Sequence, residues 1–104
     1  MTTYTQDLIN STLEAALEKW GDTQQWRMVQ EECAELIAAV NRHLRGRKGA
    51  REALIEEVAD VILVIQQARI MAGPADVDAM VVKKAYRLMG RLEEDGAIGG
   101  GEKE

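Results

Sequence analysis

Apolar residues recur at three- and four-residue steps along most of this chain, which is the period of an α-helix rather than of a strand. Ile9, Leu13, Ala16, Leu17 and Trp20 trace one stripe, and Thr3 with Gln6 offers a capping box, so a first helix is predicted over about Thr5 to Trp20. Gly21-Asp22-Thr23 interrupts the pattern, with Asp22 as a fair N-cap and Gln25 in the capping-box partner position. A second helix then runs to about Arg45 on a stripe of Val29, Cys33, Leu36, Val40 and Leu44, and Gly46 ends it. A third, roughly Ala50 to Ala72, is apolar nearly all round from Val58 to Ile65, as a helix buried on several sides would be. Gly73-Pro74 stops that helix and starts a fourth, about Ala75 to Glu94, which carries Val77, Val81, Lys84 or Ala85, Leu88 and Leu92.

The pattern predicts an all-α fold, a four-helix antiparallel bundle-like protomer occupying residues 1–95. The short link around Gly46–Gly49 makes the second and third helices antiparallel neighbours. The tail 96–104, with three consecutive glycines, has nothing to bury and is expected to be disordered. Four helices leave a surplus of apolar surface, including Leu8 on the first helix and Met80 and Met89 on the fourth. Burying it between copies predicts a homodimer or dimer of dimers, a homo-oligomeric helical bundle.

Composition narrows the class further. The chain has 104 residues, enough for one modest core, and contains no Phe and one Pro, in keeping with helices. A net charge of −5 argues against a general nucleic-acid binder, because phosphate backbones are held by basic surfaces. The lone Cys33 lies on an apolar stripe and reads as a reduced, packed thiol, which together with the lack of a leader pattern predicts a cytoplasmic protein. The longest near-continuous apolar run, Val58 to Ile65, contains Asp60 and is too short to span a bilayer, so no membrane partner is expected.

The chemistry lies in a phrase that occurs twice. Glu31-Glu32-Cys33-Ala34-Glu35 and Glu56-Glu57-Val58-Ala59-Asp60 both read acid, acid, apolar, Ala, acid, and both run into apolar sequence. At about 100° per residue each triplet occupies a single arc of a helix. Glu32 lies between Val29 and Leu36, and Glu57 between Leu54 and Val61, so these carboxylates sit in the apolar stripe itself. Charge there is costly unless something cancels it. Antiparallel helices would set Glu32 and Glu35 opposite Glu57 and Asp60, a hard-oxygen cage with no His or Cys, suited to Mg²⁺ or Mn²⁺ and poorly suited to zinc.

Glu31-Glu32-x-x-Glu35 followed after 21 residues by Glu57-x-x-Asp60 resembles the EExxE…ExxD signature of the MazG-like all-α nucleoside triphosphate pyrophosphohydrolases. The resemblance covers about residues 20–92, including the Gln-rich stretch before Glu31. It implies Mg²⁺-dependent attack of water between the α- and β-phosphates of a nucleoside triphosphate, yielding a monophosphate and pyrophosphate, with house-cleaning of the nucleotide pool as the role. Glu32, Glu35, Glu57 and Asp60 match the metal-ligand positions, and Glu31 matches the acid that assists a further ion or orients the catalytic water. Glu56 is left as the spare. Lys83, Lys84 and Arg87 fall where the family touches phosphates, although a solvated basic face is equally consistent with them.

Other residues carry weaker signals. Trp20 and Trp26 flank the start of the second helix, where either could stack on a base or simply pack, and Gln25 and Gln30 could read a base edge. Arg42, Arg45, Arg47, Lys48 and Arg51 suit the helix C-terminal dipole or the steering of an anionic substrate, and His43 has no acid in register. Phosphoribosyl-ATP pyrophosphohydrolases share the acid pattern and form the competing enzyme class. A non-catalytic helical binding module is the competing class outside enzymes.

Overall fold

The structure is a computed structural model; it describes the backbone from Thr3 to Gly96 and the side chains from Thr5 to Gly96. Its elements are α1 (Thr3–Leu44), α2 (Ala50–Ala72) and α3 (Pro74–Glu94), and the described residues are all-α. No single helix among them is long and apolar enough to cross a membrane. The tail expected after residue 96 lies outside the described residues.

The first two expected helices are joined in one. Gly21 has φ 83° and ψ 166°, values far from helical, so α1 is two helical halves meeting at a kink where the sequence pattern breaks. A residue with a Cβ avoids that backbone region, which is why the break falls on glycine. Gln25 does not serve as a capping-box partner; its side chain is turned inward and bonded to α2. Gln6 donates its amide to Asn10 (3.0 Å) and to Gln66 of α2 (3.3 Å), and the capping box expected of it involves Thr3, whose side chain lies outside the described residues.

The end of α1 follows local chemistry. Gly46 takes φ 68° and donates its N–H to His43 O, while Arg47 N–H reaches back to Arg42 O, the paired bonds of a Schellman motif. The chain turns through residues 45–49 and α2 starts at once, with Ala53 N–H bonding Gly49 O. So short a link leaves α2 to run back along the second half of α1, and the contacts between them are antiparallel. Glu32 and Glu35 meet Glu57, and Gln25 meets Gln67.

The chain divides after Met71 into two units, with α1 and nearly all of α2 in the first and α3 in the second. In the first unit the inward stripe of α1 follows the 3.6-residue period: Leu13, Gln25, Met28, Val29, Glu32, Cys33, Leu36 and Ala39 are buried or half-buried. On α2 the matching stripe is Ala50, Leu54, Glu57, Val61, Val64 and Gln67. Val40 and Leu44, expected on the α1 stripe, are exposed instead. Cys33 is a free, half-buried thiol.

One expectation for α2 does not hold. The run Val58–Ile65 was to be buried on several sides, yet Val58, Ile62, Leu63 and Ile65 remain 40–49% exposed. The reason is supply: a two-helix packing covers one face of each helix, and one chain has no further element in this unit to cover the rest. In the second unit, α3 begins on Gly73 (φ 115°) and Pro74, with Val77 N–H bonded to Gly73 O. It buries no residue fully, and Val81, Val82, Tyr86 and Leu88 are exposed.

Candidate active site

The site is built on the seam between α1 and α2. Glu32 and Glu35 are three residues apart on α1 and therefore share a face, and the antiparallel partner brings Glu57 to them. One carboxylate oxygen from each of Glu32, Glu35 and Glu57 lies within 4.8 Å of the others. Oε1 of Glu32 and Oε1 of Glu57 are closed off from solvent and accept no hydrogen bond. Asp60 is exposed and lies outside that trio, though close enough for its charge to act on both Glu32 and Glu57.

Electrostatics mark the same pair. The Glu32 carboxyl is held above the usual carboxylate range, first by burial and then by the charges of Asp60, Glu35 and Glu57. Glu57 is raised in the same way, by burial first and then by Glu35 and Asp60, with Glu56 as a further negative neighbour. Desolvation and like charge both disfavour ionisation, so a positive charge at this point would relieve both. The residues present fit a hard divalent cation: all-oxygen donors, clustered, with two lone-pair-bearing atoms lacking any partner.

The acids continue into a longer ladder. Counting back along α1, Glu35, Glu32, Met28 and Gln25 fall on one face; counting forward along α2, Glu57, Asp60, Val64 and Gln67 do the same at the identical spacing. Gln25, Met28 and Val64 join Trp20 and Gln24 around a cavity of about 320 Å³. That is the lower end of the range for small-molecule pockets, about 300–1,000 Å³. Glu32 and Gln25 are seven residues apart, roughly 10 Å along the helix axis at 1.5 Å per residue.

Gln67 closes the ladder. It is 1% exposed, and its Nε2 donates to Leu13 O (2.8 Å) and to Gln25 Oε1 (3.0 Å). Leu13 precedes the Gly21 kink and Gln25 follows it, so a single amide ties the two halves of α1 together. Its own Oε1 is buried without a partner, a deficit that costs about 1–3 kcal/mol. Sequence reasoning passed over Gln67. The signal available was its position, ten residues beyond Glu57, which mirrors Gln25 ten residues before Glu35.

The remaining candidates fall elsewhere. Glu31 is exposed on α1, outside the converging trio, and Glu56 is exposed on α2. Trp26 is 41% exposed, whereas Trp20, which does line the cavity, is 57% exposed with Lys19 Nζ 5.3 Å from its ring centre. Gln30 and His43 are exposed. Lys83, Lys84 and Arg87 are all exposed on α3, where Lys84, Arg87, Leu88 and Arg91 line a shallow cleft of that helix.

Residues 22–88 match the family model of the MazG nucleotide pyrophosphohydrolase domain. That span includes both acid triplets and covers most of the chain, which therefore belongs to the MazG family. No curated protein and no solved structure matches it.

Proposed function

We propose that this protein is a Mg²⁺-dependent nucleoside triphosphate pyrophosphohydrolase, cleaving a (deoxy)nucleoside triphosphate between its α- and β-phosphates to a monophosphate and pyrophosphate. The observation that carries the reading is the meeting of Glu32, Glu35 and Glu57 from two helices, with two buried oxygens left unpaired, in a MazG chain. Those three residues and Asp60 would hold Mg²⁺, with Mn²⁺ as a substitute. When bound, the cation supplies an acidified water and offsets the charge of the phosphates. Glu31 is the proposed residue that assists a further ion or orients the attacking water. Lys83, Lys84 and Arg87 carry the positive charge proposed for the phosphates, Gln25 lines the cavity proposed for the base, and Trp26 is a further proposed contact to the substrate.

The biological role that fits is removal of unwanted nucleotides from the pool, in a cytoplasmic protein. Self-association completes the proposal. Ile55, Val58, Ile62 and Ile65 stand at helical spacing along α2 on a stripe separate from the acids, each 41–53% exposed. An apolar stripe of that kind is most simply covered by a second copy, giving a homodimer or dimer of dimers.

The direct test is pyrophosphate release from a panel of common and modified nucleoside triphosphates, with and without Mg²⁺. Mg²⁺-dependent release from at least one substrate is expected, and Glu57→Gln should lower it on the order of 10²–10³-fold, the usual effect of deleting one group that stabilises transition-state charge. Absence of release from every triphosphate tested would remove the hydrolase reading.

A further inference from the structure

We propose that Gln67 is a positioning residue that locks the Gln25 amide in one orientation, so that Gln25 presents its NH₂ to the cavity as a hydrogen-bond donor and thereby selects the nucleobase. The inference rests on the hydrolase reading above and names a specificity device within it.

The orientation follows from chemistry that has no alternative at its first step. Leu13 O is a backbone carbonyl and can only accept. The Gln67 amide reaches it at 2.8 Å, so the nitrogen end must face it; the reverse would press oxygen against oxygen. The same nitrogen carries a second hydrogen, and the Gln25 amide lies 3.0 Å away. Gln25 must therefore turn its oxygen toward Gln67. Its NH₂, on the opposite branch of the same planar group, is directed away from Gln67, and Gln25 lines the cavity beside Trp20, Met28 and Val64. Both amides are confined, Gln25 at 8% and Gln67 at 1% exposure; Gln67 already leaves its own Oε1 buried without a partner, and turning either amide would break a bond and set like atoms against each other.

Place supports the role. The cavity occupies the ladder positions next to the acids, and the span of roughly 10 Å between Glu32 and Gln25 separates phosphate chemistry from base recognition along one helix face. The cavity carries two amides, Gln24 and Gln25, and Gln25 is the one that Gln67 holds; an apolar slot with a fixed polar group is how small-molecule sites combine binding with orientation. A donor fixed in place accepts a base edge that offers a lone pair and rejects one that offers N–H at the same point. The rejected base also leaves the protein donor unpaired, the strongest form of discrimination open to such a site.

Gln25→Glu tests this with little change of shape. The carboxylate keeps an oxygen for the Gln67 bond and replaces the cavity-facing NH₂ by an acceptor. Above the titration of that carboxyl, kcat/KM for the preferred of the four common deoxynucleoside triphosphates should fall at least about tenfold, chiefly through KM. The order of preference among the four should change as well. Gln67→Met, which removes both bonds and frees the Gln25 amide to turn, should compress the spread of kcat/KM among the four bases. Wild-type turnover with all four substrates scaled by one common factor in both variants overturns the inference and leaves the hydrolase reading intact. If Gln25→Glu does not fold, an undiminished base preference in Gln67→Met overturns it alone. Lack of turnover by the wild type itself removes both readings together.

Discussion

Glu32 of α1 and Glu57 of α2 face one another across the seam, each with one carboxylate oxygen that is buried and accepts no hydrogen bond. Neither helix alone produces this relationship. Each glutamate sits in the apolar stripe of its own helix because the stripe is where the partner helix packs, and antiparallel packing then sets charge against charge. A fold that carries such a defect at its centre gains stability whenever the defect is neutralised.

The first prediction is a dependence of stability on pH that metal reverses. Both carboxyls are raised above their ordinary value of 4.5, so between that pH and their folded titration the native state holds more protons than the unfolded one. Stability of the metal-free protein should therefore fall as pH rises through that window and level off above it. The double variant Glu32→Gln, Glu57→Gln should remove that part of the slope. Mg²⁺ should raise the wild-type Tm above the window, increasingly so as the acids ionise, because the ligating form is the carboxylate. Thermal melts from about pH 4.5 to 8 in EDTA and in Mg²⁺ measure all three, and a metal-free wild type that parallels the double variant would refute the linkage.

A second prediction concerns the kink. Gly21 holds φ 83° and ψ 166°, a region that residues with a Cβ rarely enter, and a Cβ built there meets nothing within 4 Å. The cost of Gly21→Ala is thus backbone strain rather than collision, about 1–3 kcal/mol. For a domain near 100 residues that lowers Tm by roughly 4–8 °C per kcal/mol. Should Gly21→Ala melt as wild type does, the kink is not a fixed feature of α1.

The third prediction is that the exposed stripe on α2 joins copies of the chain. Sedimentation of the wild type should give a mass above that of one 11.5 kDa chain. Ile62→Lys places a charge in the middle of the stripe and should shift the equilibrium toward the monomer at least about tenfold, since a buried unpaired charge is strongly disfavoured at an interface. A wild type that sediments as a monomer across the micromolar range would remove the proposal.

How much of this was readable from residues alone differs between elements. Turn chemistry is local, so Gly46, Gly73 and Pro74 fixed the ends of α1 and α2 and the start of α3 close to where they fall. The doubled acid phrase was equally legible, because a carboxylate within an apolar stripe is a contradiction visible in one dimension. The joining of the first two helices was not legible: a glycine marks a break in pattern, but whether the chain kinks or stops there depends on what holds the two halves. Here a side chain more than forty residues away does so, through Leu13 O and Gln25 Oε1.

The chain's sequence thus determined by itself the helical period, the punctuation at Gly46 and Gly73-Pro74 and the setting of acids within apolar stripes, all of which depend on neighbours within a turn or two. Tertiary structure alone decided which acids meet, with Glu32, Glu35 and Glu57 converging and Asp60 and Glu31 set outside the trio. It also decided that Val58–Ile65 keeps exposed faces, and that Gln67 donates to the Oε1 end of Gln25. The physical reason is the same in each case. Burial and hydrogen-bond pairing belong to the seam between two helices, and a seam has a register that neither helix encodes on its own.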